Sequence, residues 1–336
     1  MLSSKRRVFN AMARIYVICN NKGGVKKTTN VAQLGYIFSE RGYKVLVVSA
    51  DPQCNIDYSL LGYIEDEEEL DDETLQKLQE EFDEFEGEYQ TDEEEPENSD
   101  EDDDETAVLP GEGVPTLYDV IIGINGDQKK KRHIREVIVP VPQQENLYLA
   151  KGSIALSDMD INLSATKGRE KILKRALDAI QDEFDIILID TPPTLGLAPV
   201  NAFVAAGSQK NIPGSRTNGV IIAISPQVYS VLGIRTLISA FVQMRSELEI
   251  PLPIFGVICA DVKRTKNAKK RMKQVRSFFG KAVFQTTIPQ NEKVEEAADT
   301  QLPLGKYAPN SPGAKAYAAL ADEFLTRAGL ALRKGE

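Results

Sequence analysis

Two glycines set between a β-branched run and a Lys-Thr pair constrain this chain more than any other feature. Ile15–Cys19 is apolar and β-branched, and Asn20 and Asn21 close it. Gly23 and Gly24 follow, then Lys27, Thr28 and Thr29, then apolar residues at helical spacing. Strand, glycine turn, Lys-Thr and helix in that order make a phosphate-binding loop. Glycine lets the backbone curl until its N–H groups converge on an anion. The helix behind adds the positive end of its dipole. Lys27 is then placed to reach the β- and γ-phosphates of a nucleoside triphosphate, and the Thr28 hydroxyl to ligate Mg²⁺.

The common loop pattern has glycines where this chain has Asn21 and Lys26, and it does not require the lysine found here at Lys22. With that lysine directly before Gly23-Gly24, the stretch Lys22–Thr29 resembles the loop of the ParA/MinD family of deviant Walker ATPases, K-G-G-x-G-K-[ST]-[ST]. The resemblance implies ATP and Mg²⁺ as cofactors, with Gly23, Gly24, Val25, Lys26, Lys27, Thr28 and Thr29 around the nucleotide. It also implies catalytic roles for Lys22 and Lys27, Lys22 crossing a homodimer interface to the nucleotide of the other subunit. Lys26 departs from the family's glycine. Three readings stand: a tolerated replacement, a loop strained by a side chain where positive φ is needed, or an added cation on the phosphates.

Further segments extend the resemblance over nearly the whole chain, two insertions apart. KVLVVSADPQCN, Lys44–Asn55, is a buried strand ending in Asp51-Pro52-Gln53. It resembles the family's D-x-D-P-Q-G-N, which gives Asp51 the catalytic role of aligning the attacking water. The family's first aspartate is Ser49 here and its glycine is Cys54, so the support that the first carboxylate would lend Mg²⁺ or the attacking water is not expected here. FDIILIDTPPTLGL, from Phe184, resembles the Walker B strand, and Asp190 at its end would hold Mg²⁺ through water alongside Thr28. Val220–Leu237 and Thr286–Leu325 resemble the family's later segments, and Pro289 and Asn291 are the candidates to border the adenine.

Apolar runs at Ile15–Cys19, Lys44–Val48, Leu147–Ala150, Ile186–Ile189, Val220–Ile224, Ile254–Cys259 and Val283–Thr287 alternate with helical patterns. That alternation predicts an α/β fold with a doubly wound, mostly parallel sheet. Its 336 residues suit one large domain carrying insertions, an acidic one at 63–112 and a Gly/Ser/Asn/Pro-rich surface loop at 206–218. Three cysteines, Cys19, Cys54 and Cys259, have no paired spacing, which argues against a disulfide framework and fits a reducing cytoplasm. Nor do they match the cysteine pattern of the iron–sulfur proteins that share such a fold. No apolar run reaches transmembrane length, and Met1–Ala13 lacks a signal-peptide core.

Charge is unevenly spread. Glu65–Glu105 holds 25 of the 51 acidic residues and only one of the 40 basic ones, Lys77; the remainder, 39 basic against 26 acidic, is a body of +13 inside a chain of −11. A basic body suggests an anionic partner. Lys263, Arg264, Lys266, Lys269, Lys270, Arg271, Lys273, Arg276 and Lys281 cluster around a helical pattern whose apolar stripe is Met272, Val275 and Phe279. The first eight are candidate contacts for non-specific DNA, as the resemblance also implies; the plainer reading is a solvated face. Lys129–Arg132 is a second, weaker basic run. Within the acidic segment Asp72–Tyr89 has the spacing of an amphipathic helix and Glu93–Glu105 the composition of a disordered run. The segment reads either as a competitor of DNA or as a spacer. Lys151 stands where the family has an uncharged residue and reads as exposed or as an added contact.

With these features, the resemblance implies a dimerising ATPase that grips DNA in its ATP state and partitions or positions a cargo with a ParB-like or other adaptor, cytoplasmic and nucleoid-associated. A MinD-like membrane-positioning ATPase is the alternative, weakened by a short C-terminal TRAGLALRKGE whose strong apolar anchors are Leu330 and Leu332; no membrane contact is expected. A low-turnover nucleotide-binding adaptor is another, favoured by Lys26 and Ser49.

Overall fold

A computed structural model describes residues 12–62, 114–123, 129–207, 218–226, 231–247, 249, 251–300 and 302–331. By its contacts the chain divides into Met1–Gly62 with Pro115–Glu336, and Tyr63–Val114. The second unit, Val114 aside, lies outside the described residues, and with it the expected Asp72–Tyr89 helix and acidic run.

Among the described residues eight strands make one sheet: β1 Arg14–Cys19, β2 Val45–Ser49, β3 Ile138–Pro140, β4 Leu147–Ala150, β5 Ile186–Asp190, β6 Gly219–Ile224, β7 Ile254–Val262 and β8 Val283–Pro289. Their order is β3-β4-β2-β5-β1-β6-β7-β8. Every pairing is parallel except that of β3 with β4. All seven predicted strands are present, β4 with the predicted ends and the other six with an end shifted, β7 running on to Val262. The strand without a sequence signal is β3, three residues ending in Pro140 at the sheet edge, where a missing N–H costs no ladder bond. Strands β2, β5 and β6 are buried along their whole length. They read as unbroken apolar runs because helices cover both faces of a parallel sheet.

Helix α1 (Lys27–Glu40) packs on β1, β2 and β5, and the short α2 (Asn55–Leu61) packs on α1. The Leu197–Gly207 helix is buried on nearly every side. It contains Ala206 and Gly207, while Asn218 is buried and its Oδ1 accepts the Ile15 N–H at 3.1 Å. The surface-loop reading of 206–218 therefore contracts to 208–217, which lies outside the described residues.

The Pro312–Ala328 helix drives Phe324 into an aromatic cluster. Its ring lies 4.7 Å from Tyr16, 5.0 Å from Phe38, 4.8 Å from Phe255 and 6.0 Å from Phe284. One side chain thus ties the C-terminal helix to β1, α1, β7 and β8. Arg327 covers the Phe284 ring at 3.9 Å and donates to the Ala282 carbonyl at 2.7 Å. Gly329 then turns the chain at φ 65°, and Leu330 packs back on the core. Leu330, expected as an anchor in the membrane alternative, is thereby used by the fold. Among the described residues no helix is long and apolar enough to cross a membrane.

Replacing Phe324 by Ala empties the centre of this cluster. It is expected to cost about 3–5 kcal/mol of unfolding free energy, measured as a lower urea midpoint.

Candidate functional site

Strand order brings the predicted site together. β2, β5 and β1 are neighbours, and Asp190 stands in register with Ser49 on one side and Ile18 on the other. The loop after β1, the turn after β2 and the last residue of β5 therefore share one sheet edge, the carboxyl end where open α/β sheets bind ligands.

The loop is held from behind by Asn20, which is buried. Its Oδ1 accepts the Lys22 N–H at 3.1 Å and its Nδ2 donates to the Ala223 carbonyl on β6. Gly24 has φ 69°, and a Cβ at Gly23 or Gly24 would find no atom within 4 Å. Lys27 is buried, and its Nζ donates to the Lys22 carbonyl at 3.4 Å. Burial pushes its pKa down, opposed by the charges of Asp190 and Asp51. Helix α1 starts with no side-chain cap and no acidic residue in its first turn. An uncapped helix end with free N–H groups is an anion site.

Asp190 has no solvent exposure. Its Oδ2 accepts the Thr28 hydroxyl at 2.8 Å, and its Oδ1 is buried with no hydrogen-bond partner among the described residues. Burial raises its pKa to about 7, with the Thr28 bond opposing and the Asp51 charge adding. An orphaned buried oxygen beside a hydroxyl suits a divalent cation, which would take up the lone pairs and expel the proton. Among the described residues no cluster of three or more His, Cys, Asp or Glu is placed to hold a metal. Mg²⁺ needs none, because it takes one or two protein oxygens and fills its shell with water and phosphate.

Lys26 is the residue from which α1 starts. It has φ 63° and ψ 34°, so lysine occupies a left-handed position at the start of α1. Cys54 repeats this at the start of α2, with φ 50° and ψ 22°. Both stand where the resembled family has glycine, and each carries the steric cost of a Cβ in that region. Asp51 is buried in the turn between. Its Oδ1 accepts the Gln53 N–H and its carbonyl the Cys54 N–H, both at 3.0 Å. Sequence reasoning missed Asp57. Its carboxylate takes the Ser49 hydroxyl on one oxygen and the Gly152 N–H, at 2.9 Å, on the other. The only signal for it was an acid in the first turn of a short helix.

At the ends of β7 and β8, a cleft of about 520 Å³ is lined by Val262, Lys263, Arg264, Thr265, Pro289, Gln290, Asn291 and Pro312. Pro289 and Asn291, the candidates to border the adenine, line it together with Lys263 and Arg264, which were expected on a DNA face. The Asn291 Nδ2 is buried without a hydrogen-bond partner among the described residues. The predicted basic helix is present as Lys266–Phe279, capped by the Thr265 hydroxyl on the Ala268 N–H at 3.1 Å. Val275 is buried, and Met272 and Phe279 pack against the core as their spacing predicts. Lys266, Lys269, Lys270 and Lys273 are exposed. Arg276 donates to Gln285 Oε1 at 3.1 Å and to its carbonyl at 3.0 Å; Arg271 donates to the Pro226 carbonyl at 3.1 Å. Arg276 thus ties the helix to β8, and Arg271 ties it to the segment after β6. In the second basic run Lys131 donates to the Ile121 carbonyl at 2.5 Å and Arg132 pairs with Glu136 at 3.0 Å.

A protein-family model described as an AAA domain matches residues 13–254. The chromosome-partitioning ATPase Soj of Treponema pallidum is 30% identical over 319 residues, which are 95% of this chain and 99% of that protein. Among solved structures, the ATP complex of McdA from Cyanothece is similar with a TM-score of 0.65 and 19% identity, over 96% of this chain and 98% of that one. Cobyrinic acid a,c-diamide synthase from Mycobacterium smegmatis, with bound ADP and magnesium, is similar with a TM-score of 0.62 and 23% identity, over 93% of each. At those identities the two structures speak for the fold alone.

Because burial raises the Asp190 pKa from 3.8 to about 7, the nucleotide-free native state binds more protons than the unfolded chain between those values. Stability then falls as pH rises through that window. Thermal melts without metal are expected to be lower at pH 8 than at pH 5, with Asp190→Asn flattening the difference. Lys26→Gly is expected to raise stability by about 1 kcal/mol through relief of the left-handed strain, measured by urea unfolding.

Proposed function

We propose that this chain, which belongs to the ParA/Soj/MinD family of AAA-domain ATPases, is a partition-type ATPase that binds DNA in its ATP state and moves or positions a cargo. One observation carries the nucleotide half of this reading: Lys27, Thr28, Asp51 and Asp190 converge at one sheet edge, beside an uncapped helix N-terminus. In this reading Gly23, Gly24, Val25, Lys26 and Thr29 surround the phosphates, and Lys27 neutralises them. Thr28 and Asp190 hold Mg²⁺, which would offset the charge that grows on the phosphate oxygens. Asp51 aligns the attacking water. Pro289 and Asn291 border the adenine, and Lys22 reaches the nucleotide of a second subunit in an ATP-bound homodimer.

The DNA half rests on the Lys266–Phe279 helix. Lys266, Lys269, Lys270 and Lys273 would track phosphates and read no bases. Arg271 and Arg276 hold the helix in place, and Lys263 and Arg264 serve the nucleotide cleft. Soj of Treponema pallidum is named a chromosome-partitioning ATPase. A chromosome or plasmid engaged through a ParB-like adaptor is accordingly the cargo we assign, with the protein working on nucleoid DNA in the cytoplasm. The 63–112 segment is an insertion in a single ATPase domain.

The test is DNA binding with ATP, with ADP and without nucleotide, for the parent, for Asp51→Ala and for a Lys269→Glu, Lys270→Glu, Lys273→Glu triple variant. Binding is expected only with ATP, to persist in Asp51→Ala as hydrolysis stops, and to be lost in the triple variant. The parent's affinity should fall steeply with salt. Absence of binding under every nucleotide condition would remove DNA from this reading. In parallel, Lys27→Ala is expected to lower ATP turnover by about 100-fold, measured as phosphate release, while Lys26→Gly binds ATP at least as tightly as the parent.

A further inference from the structure

We infer that Asp57 is a positioning residue for ATP hydrolysis, supplying from α2 the carboxylate that β2 lacks at Ser49. The inference rests on the ATPase reading above and names a group that the reading does not include.

Ser49 is the last residue of β2 and is fully buried. Its hydroxyl contacts one oxygen of Asp57, and the other oxygen accepts the Gly152 N–H just beyond β4 at 2.9 Å. One carboxylate therefore bridges the end of β2, the first turn of α2 and the end of β4. Asp51 lies inside the span it closes. From Ser49 to Asp57 the chain turns through Asp51, which accepts the Cys54 N–H, and through Cys54, whose carbonyl accepts the Asp57 N–H at 2.9 Å. Both ends of the turn that bears the proposed water-aligning carboxylate are held by a single side chain. Groups that hold a reacting residue from behind set its position to a fraction of an ångström.

The packing allows little else. A Cβ on Gly152 would lie 2.4 Å from the Ser49 hydroxyl and 3.1 Å from the Cys54 sulfur. Burying a carboxylate is costly unless its oxygens are satisfied and its charge is offset. Burial does push the Asp57 pKa up, while Ser49, Gly152 and the Lys151 charge pull it back. This gives Lys151, which has no counterpart in the resembled family, a use as the counter-charge. Hydroxyl and carboxylate face each other here, so a carboxylate placed at 49 and a hydroxyl at 57 would make the same contact from opposite ends.

The experiment is that exchange. Turnover number and KM for ATP are measured for the parent, Asp57→Ser, Ser49→Asp and the Ser49→Asp, Asp57→Ser double variant, with melting temperatures. Hydrogen exchange of the Gly152 amide is followed in the same proteins without nucleotide. Each single variant is expected to lose about tenfold or more in turnover number, with KM changed far less. Asp57→Ser leaves the Gly152 amide without its acceptor, and Ser49→Asp puts two carboxylates in contact. The double variant is expected to recover most of the turnover and the amide protection. Phe284→Leu, in the aromatic cluster, serves as a destabilised control and should keep its turnover number below its melting point. If a single variant does not fold, Asp57→Asn replaces it and should give a partial loss. A folded Asp57→Ser with the parent's turnover number overturns the inference, and so does a folded double variant as slow as the singles. A parent that releases no phosphate would sink the ATPase reading instead. Even then, Gly152 protection that persists in Asp57→Ser overturns the clamp, because that measurement needs no turnover.

Discussion

The buried contact between Asp190 and Thr28 organises this molecule. A carboxylate with no exposure is tolerable only where its charge is balanced, and here its balance is incomplete. Thr28 takes one oxygen, Lys27 adds a nearby positive charge, and the second oxygen is left over. In the absence of a cation the group answers by holding its proton to about pH 7. A site in this condition favours whatever brings positive charge together with acceptors for Lys27 and the α1 N-terminus. A magnesium–nucleotide complex has that composition, which is why the proposed function begins at this contact.

The rest of the fold keeps that contact in place. Asp190 must end a strand between the strands that lead to the loop and to Asp51, and the parallel order β2-β5-β1 does this. Helices pack on the sheet, the C-terminal one through Phe324 on Tyr16 of β1 and Phe255 of β7. Distant packing thereby determines where the site residues stand. Local strain runs the other way. Lys26 and Cys54 both sit in the left-handed region at helix starts next to the site, held there by the turns around them. Strain of this kind survives only where surrounding structure over-determines the backbone.

Much of this was readable in advance, and the reasons differ by element. Buried parallel strands announce themselves as apolar runs, so seven of eight strands were legible; β3 was not, because three residues ending in proline carry no period. The basic helix was legible because its stripe of Met272, Val275 and Phe279 is narrow and its other faces are charged. What its cations do was less so. Arg271 and Arg276 are spent on carbonyls of neighbouring segments, and Lys263 and Arg264 line the cleft of Pro289 and Asn291. Charge can be counted along a chain, but its use depends on what lies across from it.

By itself the sequence determined the order of strand, glycine turn, Lys-Thr and helix, the alternation that makes a parallel sheet, and the identity of the residues in the glycine turn after β1. Those are local properties, set by dihedral preference and by hydrophobic period over a few residues. Only the tertiary structure decided that Lys26 pays a steric cost, that Asp190 keeps an oxygen unpaired among the described residues, and that Asp57 meets Ser49 and Gly152. Each of these depends on burial and on contacts between segments far apart in the chain, Asp57 and Gly152 being 95 residues from one another. Desolvation and contact geometry exist only after the chain has closed on itself, so no local pattern carries them.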